Sequence, residues 1–401
     1  MTPASRLPGF LASWLGRRPA AVGAGVAIMC AVLVAATTPE AASPTPQASQ
    51  TRGRGQAPPA TMGTIYLSTY KGVIAVLDEA TEKIVGEIPS KIGIPSDVTF
   101  SDDRTKLYVQ DTSYEKVEII DRVKRESIDT FTLSEDGART RIWNLQPDPH
   151  DKYLILVIKK YTLQADKWEI GPPTLVQYDL ASKKISRTIP WPKGEEREGV
   201  GVIFSPDGKL MYLMGEDVLI YETENFTEVD RWEVSRPIEP GAGRVSFGGL
   251  DPFSDEPGFF TGLFTMQDPL QNRRIMGIGR IELAKKKIDF HPIGPARGLG
   301  FTVAPDRKRA YGLFRDIVEY EFWAFDLETF RVVQRAPFRG RPRMAMRINS
   351  AGNILYIYQA GNTIDLYDAA SFKLLRTITL DGDMTSFTLL PPGPGTRRAG
   401  L

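Results

Sequence analysis

From Thr64 onward, apolar residues fall on alternate positions in short runs separated by polar clusters, the two-residue period of strands packed on neighbours. One arrangement recurs seven times: an alternating strand that ends in Asp or Glu, a polar turn, and a second alternating strand. The copies read VIAVLDEATEKIVGEI, VEIIDRVKRESIDTF, LVQYDLASKKISRTI, VLIYETENFTEVDRW, IGRIELAKKKIDFHP, FWAFDLETFRVVQRA and IDLYDAASFKLLRTI. Their acidic ends are Asp78, Asp121, Asp179, Glu222, Glu282, Asp326 and Asp368, at spacings of 43, 58, 43, 60, 44 and 42 residues. A carboxylate placed there can accept hydrogen bonds from the amides of the turn that follows it.

A second unit precedes each hairpin and is clearest as VIFSPDGKLMYLM, in which Phe204 closes a strand and Ser205 to Lys209 make the reversal. Proline presets φ and glycine tolerates positive φ, so Pro206-Asp207-Gly208 suits a tight turn. Other copies read VTFSDDRTKLYV, NLQPDPHDKYLIL, FTVAPDRKRAYGL and MRINSAGNILYIY. Four strands per repeat, seven times over, predict an all-β fold: a seven-bladed β-propeller with four-stranded blades. The body opens at TIYLS, which matches the second strand of a blade; the missing first strand stands at the far end as MTSFTLLP, Met384 to Pro391. The C-terminal strand is therefore expected to complete the first blade, closing the ring and removing a free sheet edge. Two spacings exceed the rest by about 15 residues, in blade three (YTLQADKWEIGPP) and blade five (MQDPLQNRR). Long excursions in a compact fold are often functional, and both are expected on the face from which the innermost strands start.

Composition changes the picture mainly at the N-terminus. Arg6, Arg17 and Arg18 precede a charge-free apolar run from Ala20 to Ala36, so residues 1–36 read as a secretory signal or an uncleaved N-terminal anchor. Either places the body outside the cytoplasm, in the periplasm or cell envelope, secreted or anchored. Residues 37–63, rich in Pro, Ala, Ser and Thr, read as a disordered linker; the propeller spans 64–393, and 394–401 is a disordered tail. The first 63 residues hold five arginines and one glutamate, which leaves 45 basic and 48 acidic residues in the rest. That near-neutral balance argues against nucleic acid as a partner.

The lone cysteine, Cys30, lies in the apolar run, so the body has none. Disulfides, thiolate zinc sites, CxxCH haem attachment and cysteine nucleophiles are thereby excluded from it. His150 and His291 are the only histidines, and GxSxG, GxxxxGK[ST], HExxH and EF-hand loops are missing. No residue is assigned a catalytic role, and no cofactor is assigned to this chain.

The hairpins with their acidic ends, together with SPDGKLMYLM, resemble the YVTN family of seven-bladed propellers from Thr64 to Pro391. More narrowly, the extended hairpin before LVQYDLASKK, the run FTMQDPLQNRRIMGIGRIEL, and RAYGLFRDIVEYEFWAFDLE resemble the β subunit of quinohaemoprotein amine dehydrogenases, and more distantly the heavy chains of methylamine and aromatic amine dehydrogenases. That resemblance implies a platform: the propeller seats quinone-bearing and cytochrome subunits and walls part of the substrate entrance, while quinone and haem belong to those partners.

Arg139, Arg141, Arg197, Arg244, Arg297, Arg341 and Arg343 fall just before or at the start of the first strand in blades three to seven. Blade geometry predicts a rim of arginines at the channel mouth, able to hold a carboxylate, a phosphate or an acidic partner loop; solvated repeat residues are the simpler alternative. Asp97, Glu198, Asp383 and Asn144 near that mouth offer oxygen to a cation, although pairing with the arginines explains them without a metal. Trp168 in the blade-three insert is the candidate anchor for a protein partner, whereas Trp143, Trp191, Trp232 and Trp323 read as core, and both histidines as exposed turn residues. Three functions follow: a docking subunit of an amine dehydrogenase, a stand-alone binding propeller, or a metal-dependent lactonase-like hydrolase.

Overall fold

The computed structural model describes residues 62–392 apart from 192–194, 216, 237–242, 249–257, 269, 317–318 and 359–360. The segment expected to be a signal or anchor, most of the expected linker and the expected C-terminal tail lie outside the described residues.

Every repeat folds into one antiparallel sheet, and there are seven sheets. Blade one holds β1 (Thr64–Thr69), β2 (Val73–Asp78) and β3 (Lys83–Pro89). Blade two holds β4 (Pro95–Phe100), β5 (Lys106–Asp111), β6 (Lys116–Asp121) and β7 (Glu126–Thr132). Blade three holds β8 (Ala138–Pro147), β9 (Tyr153–Leu163), β10 (Trp168–Ile170), β11 (Thr174–Asp179) and β12 (Lys184–Ile189). Blade four runs from β13 (Gly201–Phe204) through β14 (Leu210–Met214) and β15 (Val218–Glu222) to β16 (Glu228–Trp232). Blade five comprises β17 (Val245–Phe247), β18 (Phe259–Asp268), β19 (Arg273–Glu282) and β20 (Lys287–Pro295). Blade six comprises β21 (Leu299–Val303), β22 (Arg309–Arg315), β23 (Tyr320–Asp326) and β24 (Arg331–Pro337). Blade seven comprises β25 (Ala345–Ile348), β26 (Ile354–Tyr358), β27 (Thr363–Asp368) and β28 (Leu374–Thr379); β29 (Met384–Leu390) follows.

The ring closes as the sequence implies. β29 joins blade one, with Thr64 opposite Leu390 and Ser68 opposite Ser386. The seam is then filled like any other: Ile65, Leu67, Phe387 and Leu389 bury against Tyr356, Tyr358 and Leu366 of blade seven. Seven apolar clusters occupy the seven interfaces between consecutive blades. Middle strands such as β2 and β6 are covered on both faces, which is why they read as nearly unbroken apolar runs, while the outermost β7 alternates. A buried carboxylate, Glu79, reinforces the seam by accepting hydrogen bonds from Gly63 N, Ser350 N and the Tyr356 hydroxyl.

Turn chemistry repeats as regularly as the strands. Four residues after each acidic strand end, at Glu82, Arg125, Lys183, Phe226, Lys286, Phe330 and Phe372, the backbone has positive φ. In six of these turns the acid accepts the amide of the residue three positions on: Thr81, Lys124, Ser182, Asn225, Thr329 and Ser371. The hydroxyls of Thr81, Ser182 and Ser371 at Asp78, Asp179 and Asp368, and the turn amides at Asp121, Glu222 and Asp326, hold these carboxyls below their ordinary range. Glu282 instead meets Lys285 at 2.9 Å.

The two inserts are built differently. In blade three, β8 and β9 run on together to Ala138 and Thr162, and β10 pairs with the end of β9. β10 continues the line of β11, but Pro172 and Pro173 between them have no amide hydrogen for the ladder, so four predicted strands become five. In blade five only part of the extra chain lengthens the β18–β19 hairpin; the β17–β18 connection, residues 248–258, takes the rest. The lengthened hairpins of blades three and five both join second to third strands, as expected, and residues 249–257 of the β17–β18 connection lie outside the described residues.

Candidate functional site

Two faces of the ring carry candidate chemistry. On the first lie the hairpins between second and third strands and the starts of the innermost strands. Arg139 lies over the Trp168 ring at 5.4 Å and meets Glu115 at 3.8 Å. Arg141 lies over Tyr161 at 5.1 Å, and Arg297 over Phe314 at 4.9 Å. Arg197 pairs with Glu195 at 2.7 Å and lies against Gly215; Glu195 also meets Arg231 at 3.2 Å, and both arginines draw its carboxyl below the usual range. Arg341 meets Asp365 at 3.5 Å and donates to the Thr363 carbonyl at 3.0 Å. Arg244 and Arg343 are exposed, the latter at φ 59°. Thus Arg141, Arg197, Arg297 and Arg341 each meet a partner on their own blade, while Arg139 meets Trp168 of its own blade and Glu115 of blade two.

The blade-three arm projects from this face. Trp168 is 43% exposed although it sits in a strand, with Leu163 and Ile170 also in solvent. Two other hairpins on the same side expose apolar tips, Tyr70 in blade one and Leu270, 94% exposed, in blade five.

Several aromatic and titratable residues depart from the sequence reading. Trp143 is not core: it is the extra residue of a bulge in β8, 40% exposed and stacked on Tyr114 at 5.9 Å. A bulge in β4 likewise turns out Asp97, which keeps contact with water but is enclosed on most sides; that desolvation raises its pKa, and its charge in turn raises that of Tyr114. His291 is half-buried in β20 and stacked on Phe330 at 3.6 Å, not an exposed loop residue; His150 does lie in an exposed turn. Trp191, Trp232 and Trp323 pack against blade interfaces as expected. Glu198 pairs with Lys159, and Asn144 donates to the Val200 carbonyl at 3.0 Å. Among the described residues, no three of His, Cys, Asp or Glu converge as metal ligands.

The opposite face holds a cavity of about 470 Å³. Blades one, two, five, six and seven all contribute lining residues, which is possible only where blades converge on the axis. Arg104, Arg280, Arg307 and Arg347 line it together with Thr302 and Asn349, and no lining residue is acidic among those described. Sequence reasoning missed these arginines. The available signal was positional: Arg104 and Arg307 occupy the fourth place of the turn between first and second strands, where blades four and seven have Gly208 and Gly352, and all four have positive φ.

No protein-family model matches the chain, and no curated protein sequence matches it. Solved structures do share its architecture. Dihydro-heme d1 dehydrogenase NirN in complex with DHE aligns at 13% identity over 84% of this chain and 77% of that one, with a TM-score of 0.50. A functionally unknown protein from Desulfotomaculum acetoxidans DSM 771 aligns at 14% over 83% and 100%, TM-score 0.52. The periplasmic gluconolactonase PpgL of Pseudomonas aeruginosa aligns at 15% over 82% and 99%, TM-score 0.50. What is shared at these identities is the propeller fold.

Proposed function

We propose that this chain is an exported, non-catalytic docking platform whose partner is a protein with an acidic surface, in the manner of the β subunit of a quinohaemoprotein amine dehydrogenase. The observation that carries the reading is the blade-three arm, which holds Trp168 in solvent and stacks Arg139 over it. Tryptophan, tyrosine and arginine dominate the energetic centres of protein interfaces, and a tryptophan on a stiff strand loses little conformational freedom on binding. Exposed Tyr70 and Leu270 and the arginines of the same face extend the surface around that anchor. Quinone and haem, in this reading, reside in the partner chains. Export rests on the basic and apolar segment before Ala36. A lactonase-like hydrolase lacks a ligand set among the described residues, and a stand-alone binding propeller is the outcome to be set against docking.

Tagged full-length protein purified from the native cell envelope tests this. A co-purifying chain with quinone or haem absorbance is expected, and Trp168→Ala should lose it. A monomer without a coloured partner, or a partner retained by both Trp168→Ala and a variant with Tyr161 to Pro173 replaced by a short turn, would overturn the proposal.

A further inference from the structure

Asp97, Tyr114 and Trp143, on the innermost strands and adjoining hairpin of blades two and three, play no part in that docking role. Three departures from regular backbone bring them together. Bulges in β4 and β8 turn out Asp97 and Trp143, and bulges re-aim side chains in this way. Tyr114, in the β5–β6 hairpin, stands at φ 61°, a conformation that costs a bulky side chain about 1–3 kcal/mol. The hairpin is tied to both strands: Thr112 N donates to the Ile94 carbonyl at 3.0 Å, and the Tyr114 carbonyl accepts from Ile142 N at 2.7 Å. Asp111 braces it from within, accepting from the amides of Glu115 and Lys116 at 2.8 and 2.9 Å. The Tyr114 phenol stands close enough to feel the Asp97 charge, and its ring stacks on Trp143 at 5.9 Å. One carboxylate and two rings thus share a single spot at the inner edge of the face.

Elsewhere the same chain shows what such a set holds. Arg335 lies over the Trp323 ring at 4.3 Å and pairs with Glu321, which also accepts from Trp323 Nε1 at 2.9 Å. Arg139 lies over Trp168 at 5.4 Å and meets Glu115 at 3.8 Å. In both places a planar guanidinium covers an indole and meets a carboxylate. Asp97 and Trp143 supply the acid and the indole, yet among the described residues no cationic side chain pairs with Asp97 or lies over the Trp143 ring. Nearby arginines are turned to other partners, Arg141 to Tyr161, Arg297 to Phe314 and Arg341 to Asp365. Enclosure on most sides raises the pKa of Asp97, so a cation set against it relieves a poorly solvated charge.

We infer that Asp97, Tyr114 and Trp143 form a binding site for a guanidinium group from outside the chain, carried by a small molecule or by an arginine side chain of another protein. The Asp97 carboxylate accepts the forked N–H donors, and the indole of Trp143, 40% exposed, offers its flat face to the guanidinium plane. Charge selects against a neutral urea of the same shape, and planarity selects against a compact ammonium. The site does not require the docking role, and its test uses this chain alone.

Titration of the full chain with ethylguanidinium and with an arginine tripeptide capped at both ends, followed by calorimetry and tryptophan fluorescence, reads the site. At least one probe is expected to saturate with 1:1 stoichiometry, the tighter of the two naming the source. Ethylammonium should bind several-fold more weakly than ethylguanidinium, and ethylurea should not bind. Asp97→Asn should weaken binding about tenfold or more, and Trp143→Ala about fivefold, with loss of the fluorescence change. Asp381→Asn removes a carboxylate that pairs with Lys71 and should leave affinity as it was. Failure of both probes to saturate, ethylammonium or ethylurea binding as tightly as ethylguanidinium, affinity indifferent to Asp97→Asn or Trp143→Ala, or loss of binding in Asp381→Asn would overturn the assignment. The Trp143 side chain is exposed, so Trp143→Ala keeps the fold and decides alone should Asp97→Asn not fold.

Discussion

Single carboxylates at the strand ends matter because each replaces backbone partners that a tight turn cannot supply. Asp368 accepts from both the amide and the hydroxyl of Ser371. Asp368→Ala should therefore lower stability by about 1 kcal/mol in denaturant unfolding, whereas Asp368→Asn should recover part of that loss. The pH dependence follows from the direction of the shifts. Six such carboxyls have folded pKa values below their unfolded ones, so their contribution is fully present above about pH 5 and is lost as pH falls through the folded values. Asp97 has the opposite sign: its raised pKa makes the ionised form a cost at neutral pH that protonation removes. Because the lowered carboxyls, Glu195 among them, outnumber Asp97, Tm is expected to stay nearly level between about pH 5 and 8 and to drop below about pH 4. A Tm that rose on acidification below pH 4 would contradict the turn assignment.

Strands and turns were the most legible part of the sequence, since a period of two and an acid at a fixed place are local signals. The seven acidic ends and the five-residue turns fold as read, and so does the strand that closes the ring. What stayed hidden was decided by neighbours far away in sequence. Bulges at Trp143 and Asp97 put residues that alternation would bury into solvent, and the Phe330 ring on which His291 stacks belongs to the next blade. The arginine cavity was hidden for the same reason, because its four arginines come from four separate repeats and only two share a turn position. Blade five shows a further constraint that alternation cannot express. A Cβ on Gly277 would stand 2.3 Å from the His291 carbonyl oxygen and 2.6 Å from the Phe264 ring. Overpacking of that kind costs about 1–3 kcal/mol, so Gly277→Ala should shift the denaturant midpoint down accordingly; an unchanged midpoint would mean that β19 and β20 separate at no cost.

At the scale of the whole ring, stability depends on there being no first or last blade. Removing residues from Met384 onward would take Phe387 and Leu389 out of the seam and leave β1 as an open edge. A chain ending at Asp383 is expected to elute as oligomers or aggregates in size-exclusion chromatography, where the intact protein gives one defined species. A well-behaved monomer with the original Tm would show that the seam is dispensable. The pairing of Thr64 with Leu390 has one more consequence. Since the two ends of the propeller lie side by side on a single ladder, the place where translation starts is incidental to the architecture. A gene rotated to begin at another hairpin, with a short linker spanning the old junction, would encode the same ring.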